Sequence, residues 1–438
     1  MSAILTDLYQ LTMAAGYWQS GKAGEIATFE LFVRRLPPYR NFLVAAGLAQ
    51  AVEYLLDLRF TDQEIAYLRN LPQFRHVGDG FFEMLSGFRF TGDVFAVPEG
   101  TPVFAGEPIL TVRAPLLEAQ IPETYLLAMV GFQSLIATKA ARMVEAAAGR
   151  AVVEFGTRRA HGPEAGVLAG RAAFVGGCTG TSNTLAGMKY GIPVFGTAAH
   201  SWVQSFPTEA EAFTRLHHLL GPATTYLIDT YDTLEGARRA TQVGKPFWGV
   251  RLDSGDLAGQ AKAVRGILDS AGYPDAKIMA TGDLNEYRIA ELLAAGAPID
   301  AFGVGTELAT SADAPSHGAV YKLVEIGVGV EKRATAKTSA EKTTLPGAKQ
   351  IFRYADYDVL GLSDECRMGC EALLRPVVLH GEPIGPQPTI VESREYARRC
   401  LAALPDEVRA LEVVAEPRRI QHSVELIQLR ETVLGRRS

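Results

Sequence analysis

The sequence predicts an α/β protein whose central part forms a parallel sheet. From residue 151 onward, short apolar runs alternate with stretches that are long enough for a helix. Polar residues and glycines follow almost every one of these runs. An alternation of strands and helices is typical of parallel βα units.

Seven apolar runs in this part of the chain are predicted as strands. They cover residues 152–155, 173–175, 193–195, 225–228, 247–252, 278–280 and 300–304. Seven units are compatible with a closed α/β barrel and with an open, doubly wound sheet. Polar clusters at almost every strand end favour the barrel, because a barrel gathers the carboxyl ends of its strands on one rim. An open sheet concentrates function near one switch point instead.

The N-terminal part mixes helices with strands and lacks the regular βα alternation. Apolar residues of the first 20 positions share one helical face, which predicts a helix with Tyr9 in its first turn. Residues 28–36 alternate as a strand does, residues 42–87 indicate three helices, and residues 120–148 indicate one long helix.

Residues 92–113 have the strand and glycine-turn pattern of biotinyl and lipoyl carrier domains. Such a carrier needs a modifiable lysine at a hairpin tip, and no lysine stands between Lys22 and Lys139. We therefore interpret this stretch as structural.

The βα alternation ends after residue 320. Residues 332–349 form a basic, hydroxyl-rich stretch, and residues 393–404 indicate a helix. The predicted domains are 1–118, an N-terminal α+β domain completed by the C-terminal segment, 119–325, the α/β barrel, and 326–438, which packs back on the first.

Composition excludes several classes of protein. The net charge of −6 argues against a nucleic-acid binder. The sequence has no apolar run of membrane-spanning length, and its N-terminus lacks the pattern of a signal peptide. Four cysteines fit a reducing compartment, so we expect a cytoplasmic protein. Cys366, Cys370 and Cys400 are too few for a structural zinc site, and no metal ligands are predicted.

The first two strand ends predict sites for anionic ligands. Phe155 and Arg158 follow the first strand and suit a flat anionic ring, because an aromatic side chain stacks on it and a guanidinium pairs with a carboxylate. Residues 176–184, which are rich in glycine and hydroxyl groups, leave backbone N–H groups for an anion. Cys178 within them is expected to be buried rather than nucleophilic.

Acidic residues follow the fourth and fifth strands. Asp229 and Asp232 end one, and Arg251 and Asp253 end the other on the face opposite Leu252. Two acids with an arginine are suited to a sugar diol, to Mg²⁺ or to an ion pair with each other. Their occurrence at two strand ends favours a binding site.

The last two strand ends carry glycines, as the phosphate sites of barrels often do. Gly282, Gly303, Gly305 and Thr306 lie there, and His200 follows the third strand. The residues thus predict an enzyme that binds a phosphorylated sugar, with Mg²⁺ and a planar anionic partner.

Seven segments, in this order, resemble the nicotinate phosphoribosyltransferase family. They are residues 6–12 (TDLYQLT), 154–159 (EFGTRR), 180–184 (GTSNT), 196–201 (GTAAHS), 250–256 (VRLDSGD), 302–306 (FGVGT) and 342–349 (KTTLPGAK). The resemblance covers nearly the whole chain. It implies the type II phosphoribosyltransferase fold, which is an irregular seven-stranded α/β barrel with an α+β sandwich domain built from both chain ends.

The resemblance also implies a reaction, its cofactors and its partners. Nicotinate and 5-phosphoribosyl 1-diphosphate give nicotinate mononucleotide and diphosphate, with hydrolysis of ATP and with Mg²⁺. This is the first step of NAD salvage from nicotinate. A homodimer with a shared active site is implied, and neither nucleic acid nor membrane is expected as a partner.

Each site residue takes its role from the matching family position. His200 matches the histidine that ATP phosphorylates, and Asp253 and Arg251 complete the expected catalytic group. The residues matching those around nicotinate are Tyr9 (from the neighbouring subunit), Phe155, Arg158, Asn183, Thr197 and Arg251. The residues expected at the phosphoribosyl diphosphate are Asp253, Ser254, Gly282, Gly303, Gly305 and Thr306.

Alternative functions follow from the same pattern. Nicotinamide phosphoribosyltransferases resemble this chain but carry an Asp where it has Asn183, which favours nicotinate here. A phosphosugar isomerase or a quinolinate-type transferase is a second possibility, and a non-catalytic nucleotide-binding or carrier-like protein is a third.

Overall fold

The computed structural model describes residues 2–329, 331–337 and 343–435, which form two compact units. The first unit comprises Met1–Leu135, Ser316–Val408 and Val413–Ser438, and the second comprises Ile136–Pro315 and Arg409–Glu412. The boundaries therefore fall at 135/136 and 315/316, whereas the sequence placed them at 118/119 and 325/326. Of the predicted basic stretch, residues 338–342 lie outside the described residues.

Helices occur in both units. The α-helices of the described residues are α1 (Leu8–Gln19), α2 (Leu48–Asp57), α3 (Asp62–Arg69), α4 (Asp79–Ser86), α5 (Leu116–Gln120), α6 (Glu123–Ala146), α7 (Pro163–Val175), α8 (Thr184–Tyr190), α9 (His200–Gln204), α10 (Glu209–Leu220), α11 (Thr233–Val243), α12 (Leu257–Ser270), α13 (Glu286–Ala294), α14 (Thr306–Ala309), α15 (Ile390–Ala402), α16 (Asp406–Arg409) and α17 (Val424–Gly435). Short 3₁₀ turns lie at Pro72–Phe74, Thr157–Arg159 and Gly221–Ala223. None of the helices within the described ranges combines the length and the apolar character needed to cross a membrane.

The strands form several sheets. They are β1 (Ile26–Val33), β2 (Leu43–Val44), β3 (Asp93–Ala96), β4 (Pro102–Val103), β5 (Pro108–Pro115), β6 (Ala151–Glu154), β7 (Gly180–Thr181), β8 (Thr225–Leu227), β9 (Gly249–Leu252), β10 (Lys277–Ala280), β11 (Ala301–Val304), β12 (Ala319–Val328), β13 (Glu331–Ala334), β14 (Lys349–Arg353), β15 (Tyr357–Leu362), β16 (Glu371–Ala372), β17 (Arg375–Leu379), β18 (Glu382–Pro383) and β19 (Arg419–His422).

In the first unit, strands from both ends of the chain share one sheet. Its order is β13-β12-β1-β5-β3-β17-β18, so that β1 lies between β12 and β5 and is antiparallel to both. Seven of the eight residues of β1 are buried, because its two edges are paired and both of its faces are covered. A second sheet has the order β16-β14-β15-β19, and β2 pairs with β4.

In the second unit, six strands form a parallel sheet in the order β7-β6-β11-β10-β9-β8. The mixed α/β class with a parallel sheet is therefore confirmed. The predicted third strand, 193–195, is reduced to one bridge between Val194 and Thr181. Among the described residues, hydrogen-bonded pairing does not run from this edge to β8, so the sheet does not close into the predicted barrel.

One predicted strand is wrong. Residues 173–175 lie at the end of α7, which begins at Pro163 and is followed by Gly176. The strand that pairs there is β7, which contains only Gly180 and Thr181. Gly180 is required because a Cβ at this position would lie 2.4 Å from the Pro193 carbonyl oxygen of the neighbouring segment.

Several polar residues at the strand ends are N-caps of the helix that follows. The side chains of Asn183, Asp232, Asp256 and Asn285 accept backbone N–H groups at the starts of α8, α11, α12 and α13. Such caps satisfy N–H groups that have no partner within the helix. Asp232, which the sequence grouped with a possible sugar or metal site, therefore has a structural role.

Candidate functional site

The carboxyl ends of the parallel strands surround an open cavity of about 500 Å³, which we call the rim cavity. Most of the predicted site residues line it. They are Phe155, Arg158, Thr197, His200, Arg251, Asp253, Gly282, Gly303, Gly305 and Thr306. Residues from five different predicted strand ends are thus brought together, as expected for function placed at the carboxyl ends of parallel strands.

Three predicted residues do not line the rim cavity. Tyr9 lies on α1 in the first unit, where half of its side chain is exposed. Asn183 is buried, its Oδ1 accepts the Ala186 N–H at 2.8 Å, and its Nδ2 donates to Thr157 at 3.2 Å. Ser254 faces the adjoining cavity described below.

Arg251 is the centre of the hydrogen bonds in the rim cavity. Its Nε donates to Thr281 Oγ1 at 2.8 Å, and one terminal nitrogen donates to Thr197 Oγ1 at 2.7 Å. The other terminal nitrogen donates to Asp253 Oδ1 at 2.7 Å. The alternation that placed Arg251 and Asp253 on one face is thereby confirmed, and Leu252 between them is fully buried. The guanidinium links three strand ends into one rigid group.

Asp253 is held in its ionised form. Burial by itself would raise its pKa, but hydrogen bonds from Thr281 and Arg251, together with the charges of Arg251 and His200, lower the pKa below its ordinary value. Its second oxygen lies 3.7 Å from Nε2 of His200. A fixed negative charge therefore faces the imidazole.

His200 is the first residue of α9, and two-fifths of its side chain is exposed. Its Nδ1 lies 3.1 Å from Thr230 Oγ1, just beyond β8. The two edges of the parallel sheet, at Val194 and at β8, therefore meet through side chains although their backbones are not paired. This contact orients the ring and leaves Nε2 facing Asp253.

Glycines shape two walls of the rim cavity. A Cβ at Gly303 would lie 2.6 Å from the ring of Phe155 and 2.6 Å from Thr281 Cγ2, so only glycine lets the aromatic ring lie against this strand. Gly282 has φ +90°, and a Cβ there would lie 2.0 Å from the Asp253 carbonyl oxygen. Both glycines are explained by close packing at the site.

Glu154, at the end of β6, supports the residues beside the ring. It is fully buried and accepts hydrogen bonds from the Gly156 N–H and from Thr181 Oγ1. Burial raises its pKa, and these two hydrogen bonds lower the pKa only in part. The side chain ties β6 to β7 directly beneath Phe155.

A second cavity of about 610 Å³ adjoins the first and shares Asp253, Gly282 and Asp283 with it. Next to this cavity, one oxygen of Asp229 accepts the Asp253 N–H at 2.8 Å and Ser254 Oγ at 2.9 Å. The other oxygen, Oδ1, is buried and has no hydrogen-bond partner among the described residues.

The described residues contain no group of three or more His, Cys, Asp or Glu side chains placed to hold a metal ion. Magnesium, however, commonly binds through one or two carboxylates together with substrate phosphates and water. The unpartnered Asp229 oxygen and the ionised Asp253 carboxylate meet that smaller requirement.

The structure adds residues that the sequence interpretation left without a role. Arg159, Thr281 and Asp283 line the rim cavity, and Thr230 contacts the His200 side chain. All four stand within four residues of the end of a predicted strand, which is the signal that could have identified them. Their side-chain partners, however, depend on packing between strands distant in sequence.

Two family models match the chain. A model described as the nicotinate phosphoribosyltransferase N-terminal domain matches residues 4–131, and a model described as the nicotinate phosphoribosyltransferase family matches residues 151–352.

Individual proteins are similar over most of the chain. The chain is 46% identical over 427 residues to the nicotinate phosphoribosyltransferase pncB2 of Mycobacterium tuberculosis, with 94% of this chain and 89% of that protein covered. It is 45% identical over 376 residues to a nicotinate phosphoribosyltransferase of Bacillus subtilis, with 82% and 76% covered. The crystal structure of the human nicotinic acid phosphoribosyltransferase superposes with a TM-score of 0.86 at 31% identity and covers 98% of this chain and 100% of that one.

Proposed function

Because the chain belongs to the nicotinate phosphoribosyltransferase family, we propose that it joins nicotinate to the phosphoribosyl group of 5-phosphoribosyl 1-diphosphate, coupled to hydrolysis of ATP. The observation that carries the proposal is the rim cavity, where an aromatic ring, exposed guanidinium groups, an ionised Asp253 and His200 lie together. Such a reaction is the first step of NAD salvage from nicotinate, and its coupling to ATP places it in the ligase class.

Nicotinate is a flat ring with one carboxylate, and the part of the cavity around Phe155 suits both features. The half-buried Phe155 ring offers a stacking surface, and the absence of a side chain at Gly303 leaves room for the ring against β11. The exposed Arg158 is able to pair with the carboxylate through two parallel hydrogen bonds.

The phosphoribosyl group fits the opposite wall. Asp253 accepts hydrogen bonds from the ribose hydroxyls, and the backbone at Gly282, Gly305 and Thr306 receives the 5-phosphate. Glycine at these positions lets phosphate oxygens approach backbone N–H groups closely.

The transfer itself needs no general base. The electron pair of the pyridine nitrogen forms the bond to C1 of the ribose, and the bond from C1 to the diphosphate oxygen breaks with its electron pair on the diphosphate. The pyridine nitrogen carries no proton in nicotinate, so none has to be removed. The residues act by positioning the two substrates and by balancing charge.

His200 is then available for ATP. Its imidazole displaces ADP from the γ-phosphorus, the nitrogen–phosphorus bond forms, and the bond to the bridging oxygen breaks. The 3.1 Å contact with Thr230 holds the ring in position for this transfer. Hydrolysis of the phosphohistidine later releases phosphate.

Asp229 and Asp253 would hold Mg²⁺ together with the diphosphate. When bound, the ion neutralises charge on the leaving diphosphate.

We also propose a homodimer in which Tyr9, half exposed on α1, forms the second wall of a partner's nicotinate site. A cytoplasmic location completes the proposal.

Incubation with γ-labelled ATP followed by peptide mapping tests the ATP coupling. We expect acid-labile label on His200, release of diphosphate with nicotinate, and no reaction with quinolinate. A His200→Ala variant should lose nicotinate-dependent ATP hydrolysis while keeping slow transfer of the phosphoribosyl group. Label on another residue, or none, contradicts the phosphohistidine, and absence of nicotinate mononucleotide contradicts the function itself.

A further inference from the structure

Lys139 is a buried lysine surrounded by carboxylates in the second unit. Only 1% of its side chain is exposed, and its Nζ lies 2.7 Å from Glu286 Oε2 and 2.9 Å from Asp313 Oδ1. A third carboxylate, Glu307, lies 3.8 Å away. A lysine is almost never fully buried unless it is paired, so this charge is held at a cost in desolvation that its partners must offset.

Arg142 stands three residues further along α6 and holds the same partner. Its Nε donates to Glu286 Oε1 at 3.0 Å, and a terminal nitrogen donates to the Tyr287 hydroxyl at 3.1 Å. Both oxygens of the buried Glu286 therefore face basic side chains of α6: Arg142 donates to Oε1, and the Lys139 ammonium forms an ion pair with Oε2.

The carboxylates around Lys139 belong to the segments that follow β10 and β11. Glu286 is the first residue of α13 and directly follows the loop that contains Gly282. Glu307 stands next to Thr306 on α14, and Asp313 follows shortly after that helix. Gly282 and Thr306 both line the rim cavity.

We propose that Lys139 is a positioning residue that fixes the distance between the Gly282 loop and the start of α14, the two walls that receive the 5-phosphate. Lys139 does not line either cavity described above, so it acts on the ligand through Glu286 and Glu307. One ammonium group bonded to both segments resists their separation. Without it, the carboxylates of the two segments repel each other and the walls move apart.

This inference rests on the proposed function, and its main test is binding rather than turnover. Calorimetric titration with ribose 5-phosphate measures the affinity of the phosphate walls directly. Lys139→Met keeps the apolar stem and removes the charge, and we expect its Kd for ribose 5-phosphate to rise on the order of ten- to a hundredfold, because displacements near 1 Å have effects of that size. The KM for 5-phosphoribosyl 1-diphosphate should rise in parallel, while the KM for nicotinate stays within about twofold.

Glu307→Gln provides a milder variant, because this carboxylate is partly exposed and its distance to Lys139 is longer. We expect a smaller rise in the same Kd, and less than additive effects in the double variant. Lys277→Met is the matched control: this lysine pairs with Asp300 at 3.4 Å in the same unit, is half exposed, and should leave the Kd unchanged.

The possible outcomes distinguish failure of the positioning role of Lys139 from failure of the proposed enzymatic function. An unchanged Kd in folded Lys139→Met overturns the inference, whether or not the enzyme is active. If Lys139→Met fails to fold, an unchanged Kd in Glu307→Gln overturns it instead. A raised Kd in a protein that makes no nicotinate mononucleotide supports the inference and contradicts only the proposed function.

Discussion

Replacement of Arg251 by lysine tests whether the fork of the guanidinium, rather than its charge, organises the rim cavity. The arginine donates to Thr281, Thr197 and Asp253 from three different nitrogen atoms at 2.7–2.8 Å. A lysine ammonium at this position keeps the positive charge but reaches only one of the three acceptors in good geometry. Two hydrogen bonds are therefore lost.

The size of the effect follows from those two bonds. Each contributes about 1 to 1.5 kcal/mol in a partly buried setting, so the variant loses roughly 2 to 3 kcal/mol. If this energy holds the site in its reactive arrangement, kcat/KM for both substrates falls roughly 30- to 160-fold. Steady-state formation of nicotinate mononucleotide measures the loss, and urea denaturation measures the change in the free energy of unfolding.

Arg265 offers a matched control in the same unit. It also donates from three nitrogen atoms, to Asp269 and to the backbone oxygens of Ala276 and Tyr273 at 2.6–2.8 Å, and its side chain is 20% exposed against 14% for Arg251. It lines neither cavity described above. Arg265→Lys should therefore lose similar stability and keep its activity. Equal loss of activity in both variants, or full activity in Arg251→Lys, would refute the reasoning.

Two further predictions concern a buried carboxyl group and the choice of substrate. Burial and the negative charge of Asp358 raise the pKa of Glu107 well above its ordinary value. As the pH rises past the ordinary value, the unfolded chain loses this proton while the folded protein keeps it. The free energy of unfolding therefore declines until the pH reaches the raised pKa. Glu107→Gln should flatten this decline, as measured by urea unfolding at several pH values, and should change the free energy of unfolding at pH 7 by less than about 1 kcal/mol. Asp358→Asn deprives Arg353 of its 2.8 Å partner and should lower the free energy of unfolding by about 3–5 kcal/mol. Asn183→Asp keeps the cap on α8 but loses the donor to Thr157. The variant should shift the ratio of the kcat/KM values for the two substrates from nicotinate toward nicotinamide. An unchanged ratio would show that Asn183 does not select between them.

The parallel sheet of the second unit could be predicted because most of its strands are short apolar runs that can be recognised locally in the sequence. β8 to β11 lie within two residues of the predicted runs, since each is a short apolar stretch that follows a helix. The run at 173–175 has the same composition but ends a helix, and periodicity over three residues cannot separate a buried helix end from a buried strand. β7 carries no apolar run at all, because its place is set by the close approach of Gly180 to the Pro193 backbone.

The candidate site was predictable to the level of which residues gather at the strand ends, but not of what each side chain contacts. Arg251 and Asp253 follow from alternation within one strand, which the sequence contains. The contact of His200 with Thr230 joins residues on opposite edges of the sheet, and it depends on the curvature of the whole unit. The sequence interpretation places Asn183 beside nicotinate, but its Oδ1 caps the start of α8 and its Nδ2 donates to Thr157.

The charges of the rim cavity divide the arginines into two kinds, and this division bears on substrate recognition. Arg251 is shielded and neutralised by Asp253 at 2.7 Å, so a carboxylate ligand there would compete with an acceptor that is already bound. Arg158 and Arg159 are exposed on the cavity wall and keep their guanidinium groups accessible to solvent. Because bidentate pairing requires an accessible fork, we expect the carboxylate of nicotinate to pair with Arg158 or Arg159 rather than with Arg251.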